Sequence, residues 1–453
     1  MVKIDITNDL RLTNLPEDLR LSIEDKLTIT NPDYEKKIRM GFYAHKTPKT
    51  IELFETNGET LVLPYGLKSS VLDTLTKNGI KYQVNEEHAD KPILIAYKEK
   101  INLYDYQEVA VNKMLGADNG ILVSPCGSGK TRMGIDLIGK RAQKTLWLTH
   151  TTDLLNQSKK SFQSFYKNKV GTITGGKVNI QDITFATVQT MAKLDLNRYK
   201  DEWGLIIVDE CHRATGGASK VKMFYKVITS LNAKYKYGLT ATIEDKPNSI
   251  ESTPFHIIGD KIHEILESDV KRVNADIIPI MMPTPVSTDY LKPDYTIDYM
   301  KLTDYLVDNE LRNRIIFDEM LKYKGNHNII LSTRLRHLDT FKEMFDKLGI
   351  ESRLLTGKEK SAVRDEVIED FKQGKFRYIL SNYQLAKEGL DLPIADTLHL
   401  IFPIKDKTAL IQSKGRVERL HPNKTKAQVI DYVDIQIGYL KRIYKQRRNI
   451  FNV

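Results

Sequence analysis

The chain has 453 residues, 41% of them hydrophobic and 28% charged, which is length for about three domains and apolar content for several cores. Collagen-like, fibrous and disordered readings are excluded, and no run approaches the ~18 apolar residues of a membrane span. The net charge of +10 suits a polyanionic partner, and two cysteines, Cys126 and Cys211, are too few for a disulfide framework or a zinc site. Met1–Leu10 carries Asp5 and Asp9 and no apolar segment, so it does not read as a secretory signal; a soluble, cytoplasmic protein is expected.

Residues 1–100 balance fifteen Lys/Arg against sixteen Asp/Glu and read as a small α+β unit. Ile51–Phe54, the turn Asn57-Gly58 and Thr60–Leu63 predict a β-hairpin. Val71–Asn78 predicts a short helix stopped by Gly79. Phe42, Tyr43 and Phe54 are candidates for base stacking, although aromatic residues on strands more often belong to a core.

From residue 101 short apolar runs alternate with helical patterns. They are Gly120–Val123, Thr145–Leu148, Ile183–Ala186 and Leu205–Val208, then Asn328–Leu331, Tyr378–Leu380, Leu398–Ile401 and Val429–Tyr432. Unbroken apolar runs of this length are expected of parallel strands buried on both faces. The fold class is therefore α/β, with two parallel-sheet domains, 101–268 and 269–453, behind the accessory unit 1–100. The join is placed where a helical segment, Ile262–Glu267, meets the Pro-containing strand Ile277–Pro283. Residues 401–453 hold twelve Lys/Arg against four Asp/Glu, and Lys441–Arg448 reads as a basic helix lying against a phosphate backbone.

The sharpest local signal is Ser124-Pro125-Cys126-Gly127-Ser128-Gly129-Lys130-Thr131, set between a strand and a helix. Glycines let backbone wrap a phosphate closely, and the amides and the helix N-terminus aim positive charge at it. Lys130 is expected to reach β- and γ-phosphates, and Thr131 to place its hydroxyl on Mg²⁺. The strict P-loop pattern begins with Gly, where this chain has Ser124. Further on, Leu205–Val208 ends in Asp209-Glu210-Cys211-His212. Adjacent carboxylates closing a buried strand are costly unless a cation uses them. Asp209 fits a Mg²⁺ role, and Glu210 fits the base that polarises an attacking water. ATP and Mg²⁺ are the expected cofactors.

Asp209-Glu210-Cys211-His212 resembles the DEAD/DEAH-type box of superfamily 2 helicases, and other segments resemble that family's motifs in order. Leu103–Gln107 resembles the adenine-reading segment. Thr149–Gln157, Thr174–Gly176 and Ala186–Thr190 resemble nucleic-acid-facing motifs, and Gly238–Thr242 resembles motif III. Leu331–Arg334, Leu355–Gly357, Ser381–Pro393 and Gln412–Arg419 resemble the motifs of a second lobe. The resemblance spans about residues 101–435 and implies two RecA-like lobes in tandem.

It also implies roles. Tyr104 and Gln107 would face the adenine, with Pro125, Cys126, Gly127, Ser128 and Gly129 around the phosphates and Gly389 and Asp391 contributing from the second lobe. Gln412 would position water, and Arg416 and Arg419, three apart and so expected on one helix face, would complete the site from the second lobe. Thr149, Thr187, Gln189, Thr333, Arg334 and Asn382 would hold a DNA backbone, although each taken singly is equally a cap or turn residue. His212 reads as the coupling between the carboxylates and Thr240 and Thr242.

His212 in the fourth box position and Leu239-Thr240-Ala241-Thr242 in motif III are more similar to phage UvsW-like helicases than to RNA-type DEAD-box proteins. That group is associated with fork regression, Holliday-junction branch migration and unwinding. The resemblance thus implies a monomeric ATP-dependent DNA helicase acting on branched or forked DNA in replication, recombination or repair. The rival readings are the duplex-translocating motor of a restriction system, an RNA helicase, and a non-hydrolysing nucleic-acid-binding scaffold.

Overall fold

The computed structural model describes residues 1–388, 392–422 and 424–451. They fall into two compact units, Met1–Val270 and Lys271–Val453.

The first unit begins with β1 (Val2–Ile6) antiparallel to β2 (Asp9–Thr13). β3 (Thr28–Thr30) and β4 (Thr50–Glu52) make a separate two-stranded ladder. β5 (Glu55–Asn57) and β6 (Thr60–Pro64) pair as a hairpin, and β7 (Tyr82–Glu86) runs parallel to β1. The resulting five-stranded sheet has the order β5-β6-β2-β1-β7. Val2, Ile4 and Ile6 alternate inward with the period of two that a one-sided sheet requires. They pack with Leu12, Leu61, Leu63, Val71 and Leu75, and this core extends to Val221 of the helix Ala218–Thr229.

The expected hairpin is therefore shifted. Its turn is at Asn57-Gly58, but the strand entering it is Glu55–Asn57, whereas Ile51 pairs with Ile29 in the other ladder. Ile51 and Leu53 are both buried, so the chain leaves one ladder and enters the next at the half-buried Phe54.

The remainder of this unit carries β8 (Asn119–Val123), β9 (Thr145–Thr149), β10 (Val170–Thr174), β11 (Lys177–Asn179), β12 (Ile183–Thr187), β13 (Leu205–Asp209), β14 (Tyr235–Thr240) and β15 (Lys261–Glu264). Their order is β11-β10-β12-β9-β13-β14-β8-β15. Every pairing is parallel except β10 with β11. β9, β12 and β13 are buried at every residue, which is why they read as apolar runs rather than alternations.

The segment Ile262–Glu267, expected to be helical, is instead the edge strand β15 followed by a short 3-10 turn. Apolar residues spaced three apart in so short a segment do not distinguish the two states. Pairing with β8 decides it, and Gly120 makes the approach possible: a Cβ there would lie 2.6 Å from Ile262 Cγ1.

The second unit is built on β16 (Ala275–Met281), β17 (Asn328–Ser332), β18 (Ser352–Leu355), β19 (Tyr378–Asn382), β20 (Thr397–Leu400) and β21 (Ala427–Val433). All pairs are parallel, in the order β16-β21-β20-β17-β19-β18. Pro279 is tolerated because β16 is an edge strand. The basic segment is helical, Gly438–Phe451, but Arg447 turns inward to a buried ion pair with Asp431 at 2.7 Å. Lys441, Arg442, Lys445 and Arg448 remain exposed.

Candidate functional site

β13, β14 and β8 lie side by side, with Asp209 opposite Leu239 and Thr240 opposite Val123. The loop after β8, the carboxylates after β13 and the threonines after β14 therefore emerge together at the C-terminal edge, where open parallel sheets bind ligands.

The loop 124–129 is held from both sides. Ser124 N–H donates to Thr240 O at 2.8 Å, and the Ser124 and Ser128 hydroxyls bond to each other across the loop. The Ser that replaces the usual first Gly thus helps close the loop. Gly127 (φ +82°) and Gly129 (φ +87°) adopt left-handed backbone that side chains disfavour. A Cβ on Gly129 would also lie 2.4 Å from Gln107 Nε2. Lys130 opens the helix Lys130–Arg141, and its ammonium donates to Ser124 O at 3.1 Å. Thr131 follows it, half-buried.

Gln107 is buried and uses both ends of its carboxamide. Oε1 accepts the Tyr104 N–H at 2.9 Å, and Nε2 donates to Ser128 O at 2.6 Å. The structure thus brings Tyr104 and Gln107 to the loop 124–129, with Tyr104 stacked on Tyr106.

Asp209 is the last residue of β13, and Glu210 follows in left-handed backbone at φ +51°, an unusual conformation for a residue with a side chain. Burial and the Glu210 charge push the Asp209 carboxyl above its ordinary range, with Lys130 pulling against them. Burial would raise Glu210 as well, but Lys130, His212 and Arg213 outweigh it and hold that carboxyl down. His212 Nδ1 lies 3.2 Å from Glu210 Oε2 and 2.9 Å from Thr240 Oγ1. Thr240 Oγ1 donates to Thr242 O at 2.8 Å, so it accepts from His212. Cys126 is half-buried and Cys211 buried, and burial pushes the Cys211 thiol up.

Asp209 and Thr131 carry oxygens of the kind a hard divalent cation would take. Among the described residues no group of three or more His, Cys, Asp or Glu is arranged to hold a metal. Mg²⁺ generally binds one or two protein oxygens and takes the rest from phosphate and water.

A second rim lies along the same unit. Thr149 and Thr187 are register partners at the ends of β9 and β12, and Gln189 Nε2 donates to His150 O at 2.8 Å. Both threonines are buried, and their hydroxyls engage Thr151 O and Thr190 Oγ1, leaving Gln189 as the exposed member. In the second unit Ser332 is the register partner of Asn382, which sets Thr333, Arg334 and Asn382 on one rim. Thr333 is exposed, and Asn382 Oδ1 accepts the Leu385 N–H at 2.8 Å, capping the helix Tyr383–Glu388. Gly389 and Asp391 lie outside the described residues.

Gln412 and Arg416 are on the helix Lys407–Val417. Gln412 is buried, and its Oε1 has no hydrogen-bond partner among the described residues. The helix stops at Val417, so Arg419 lies beyond it and the expectation of one shared helix face does not hold. Two buried charges hold the chain where the helix ends. Lys424 Nζ donates to Val417 O at 3.0 Å and to Pro393 O and Ala395 O at 2.7 and 2.8 Å. Glu418 binds the strand that enters the unit: its carbonyl accepts the Val273 N–H at 3.0 Å, and its Oε1 accepts the Ala275 N–H at 3.1 Å. Sequence reasoning passes over both residues. Glu418 stands between two motif arginines, and no pattern marks Lys424.

Residues 100–245 match the model for the type III restriction enzyme res subunit, and residues 311–421 match the helicase conserved C-terminal domain. The chain belongs to the superfamily 2 helicases. The two matched segments lie in its tandem RecA-like lobes, preceded by the small N-terminal α+β part. A protein of Acanthamoeba polyphaga mimivirus named "Putative ATP-dependent RNA helicase L396" is 28% identical over 91% of this chain and 79% of its own length. "Probable helicase D10" of Escherichia phage T5 is 25% identical over 80% of this chain and 78% of its own length. Of two further curated helicases, 23% and 27% identical, the chain spans 54% and 51% of the length. The solved structure of Saccharomyces cerevisiae Dbp5 bound to RNA and ADP BeF3 covers 76% of this chain and 88% of its own, at 17% identity and a TM-score of 0.55, a likeness of fold.

Proposed function

We propose that the chain is an ATP-driven DNA helicase that remodels branched or forked DNA in phage replication, recombination or repair, acting as a monomer in the host cytoplasm. The observation that carries the catalytic part is the shared charge network at the ends of β8, β13 and β14. Lys130 holds the Glu210 carboxyl down, and His212 links that carboxylate to Thr240. Lys130 binds the β- and γ-phosphates of ATP. Glu210, kept as a carboxylate, orients the attacking water and receives its proton. Thr131 and Asp209 hold Mg²⁺, which neutralises charge on the phosphates. Gln412 orients water, and Arg416 and Arg419 supply positive charge to the transferring phosphoryl group. His212 and Thr240 relay the state of the carboxylates to Thr242. Gln189, Thr333, Arg334 and Asn382 hold one strand by its backbone, which gives binding that is salt-sensitive and tolerant of sequence.

The choice of branched DNA is supported by the wording of the box and of motif III and by the phage T5 relative. A test compares ATP hydrolysis with DNA and with RNA, and then unwinding of a simple fork, a Holliday junction and a blunt duplex. The reading expects stimulation by DNA and activity on the branched substrates. Stimulation by RNA alone would make the chain an RNA helicase. Translocation on duplex without strand separation would make it a restriction-type motor.

A further inference from the structure

The N-terminal unit is near-neutral as a whole, yet its charge is not spread evenly. Residues 36–49 hold Lys36, Lys37, Arg39, Lys46 and Lys49, five of the fifteen basic residues in the first hundred, and no acidic residue. This stretch is the outer part of the excursion between β3 and β4.

The same stretch exposes its large apolar side chains. Ile38, Met40, Phe42 and Tyr43 are 55%, 57%, 62% and 86% exposed. Isolated exposed apolar residues are ordinary, but four within six positions concentrate exposed apolar surface on one short stretch, which calls for a partner. Phe54, the third aromatic candidate, is half-buried against the core and is not part of it.

The excursion has a built base. β3 and β4 close it, and buried Asn31 ties its two ends: Oδ1 accepts the Asp33 N–H at 3.0 Å, Nδ2 donates to Pro48 O at 2.7 Å, and Asn31 N–H donates to Lys49 O at 3.0 Å. Farther out, Phe42 N–H donates to Lys37 O at 2.8 Å, Lys37 Nζ donates to Thr47 Oγ1 at 2.7 Å, and Tyr43 stacks on His45 at 5.2 Å. The apolar side chains are therefore presented on a formed arm.

Exposed aromatic faces on a stretch that carries five cations and no carboxylate, with Asp33 and Glu35 just before it, match a partner that offers both phosphates and π-faces. A second copy of a chain with net charge +10 has the wrong sign, and an acidic peptide offers no stack of rings. We infer that the arm 36–49 is the nucleic-acid contact of the N-terminal unit, with Phe42 and Tyr43 stacking on exposed bases at a branch and Lys36, Lys37, Arg39 and Lys46 holding the flanking phosphates. That the nucleic acid is branched DNA rests on the function proposed above; the contact itself does not.

The test pairs two variants of the full chain, Phe42→Ala/Tyr43→Ala and Lys36→Ala/Lys37→Ala. Fork DNA binding is followed by fluorescence anisotropy at several salt concentrations, and single-strand-stimulated ATP hydrolysis is measured in parallel. The aromatic variant is expected to bind forks about tenfold or more weakly, as loss of base stacking implies. The lysine variant is expected to bind more weakly with a shallower salt dependence. Both should keep wild-type thermal unfolding and wild-type ATP turnover on saturating single strands. Fork affinity unchanged in both variants would overturn the arm assignment. Binding of the wild type to anionic phospholipid vesicles that both variants lose, with fork affinity unchanged, would overturn it in favour of a membrane surface. Wild-type protein that hydrolyses ATP with no nucleic acid response would instead defeat the helicase reading, while the binding data would still decide the arm.

Discussion

Glu418 Oε1 accepts the backbone N–H of Ala275 at 3.1 Å, and so joins the turn between Arg416 and Arg419 to the first residue of β16. The Glu418 carbonyl accepts the Val273 N–H, and Arg272 lies 3.5 Å from Oε2. The carboxylate is buried, so these bonds are shielded from competing water. The segment through which the chain enters the second unit is thereby fastened to the arginine-bearing turn.

Removing that carboxylate has a local and a functional consequence. In Glu418→Ala the amide of Ala275 loses its acceptor, and its hydrogen-exchange protection should fall about tenfold, the equivalent of one buried hydrogen bond of ~1–1.5 kcal/mol. The kcat for ATP hydrolysis should fall with the KM for ATP little changed. Glu418→Gln keeps an acceptor oxygen and should restore most of the protection. Unchanged exchange in the alanine variant would show that the bond does not hold the segment.

The chain Glu210–His212–Thr240 makes a pH prediction. Lys130 and then His212 hold the Glu210 carboxyl below its ordinary value against the effect of burial. His212→Ala removes one of those stabilising partners, so the carboxyl protonates at higher pH. The acid limb of the pH–rate profile for stimulated hydrolysis should move upward in pH, and kcat should drop. A limb that stays in place would dissociate His212 from the ionisation of Glu210.

Lys236 predicts a stability trend of opposite character. It lies fully buried on β14, donates to Ile228 O at 3.2 Å and to Asn8 O at 3.4 Å, and sits 4.8 Å over the Tyr65 ring. Burial pushes its ammonium down to about 7, with Asp9 opposing. The folded value lies below the unfolded value near 10.5, so between those pH values the unfolded chain binds more protons. The cost of burying the charge is therefore full below about pH 7 and fades as pH rises towards 10.5. Urea unfolding at pH 6.5 and pH 9 should show Lys236→Met gaining stability relative to wild type at the lower pH, with the difference shrinking at the higher. A difference independent of pH would mean that the lysine keeps its ordinary ionisation.

Most of the fold is legible in the sequence because buried parallel strands write themselves as apolar runs, and Leu205–Val208 and Thr145–Leu148 are clear cases. Ile262–Glu267 is not, because an edge strand pairs through backbone and leaves no pattern distinct from one helical turn. Ile51–Phe54 misleads for a related reason: its period is that of a strand, but its partner is chosen by long-range pairing with β3. At the site, the loop from Ser124 to Thr131 is legible as a contiguous motif. Glu418 and Lys424 are not, because their meaning lies in which backbone groups they reach, and those belong to residues near 273 and 394 rather than to neighbours. The arm 36–49 falls between the two cases. Its composition is visible, and only its exposure distinguishes a contact surface from core aromatics.

Lys130 and Arg416 are proposed to serve one hydrolysis reaction from two units of the chain, and the rest of the mechanism depends on that pairing. Its most direct test is the steady-state rate of DNA-stimulated ATP hydrolysis in Lys130→Ala and in Arg416→Ala, with DNA affinity measured on the same preparations. Both variants should lose stimulated hydrolysis while keeping DNA binding largely intact. Wild-type turnover in either one would contradict the assignment.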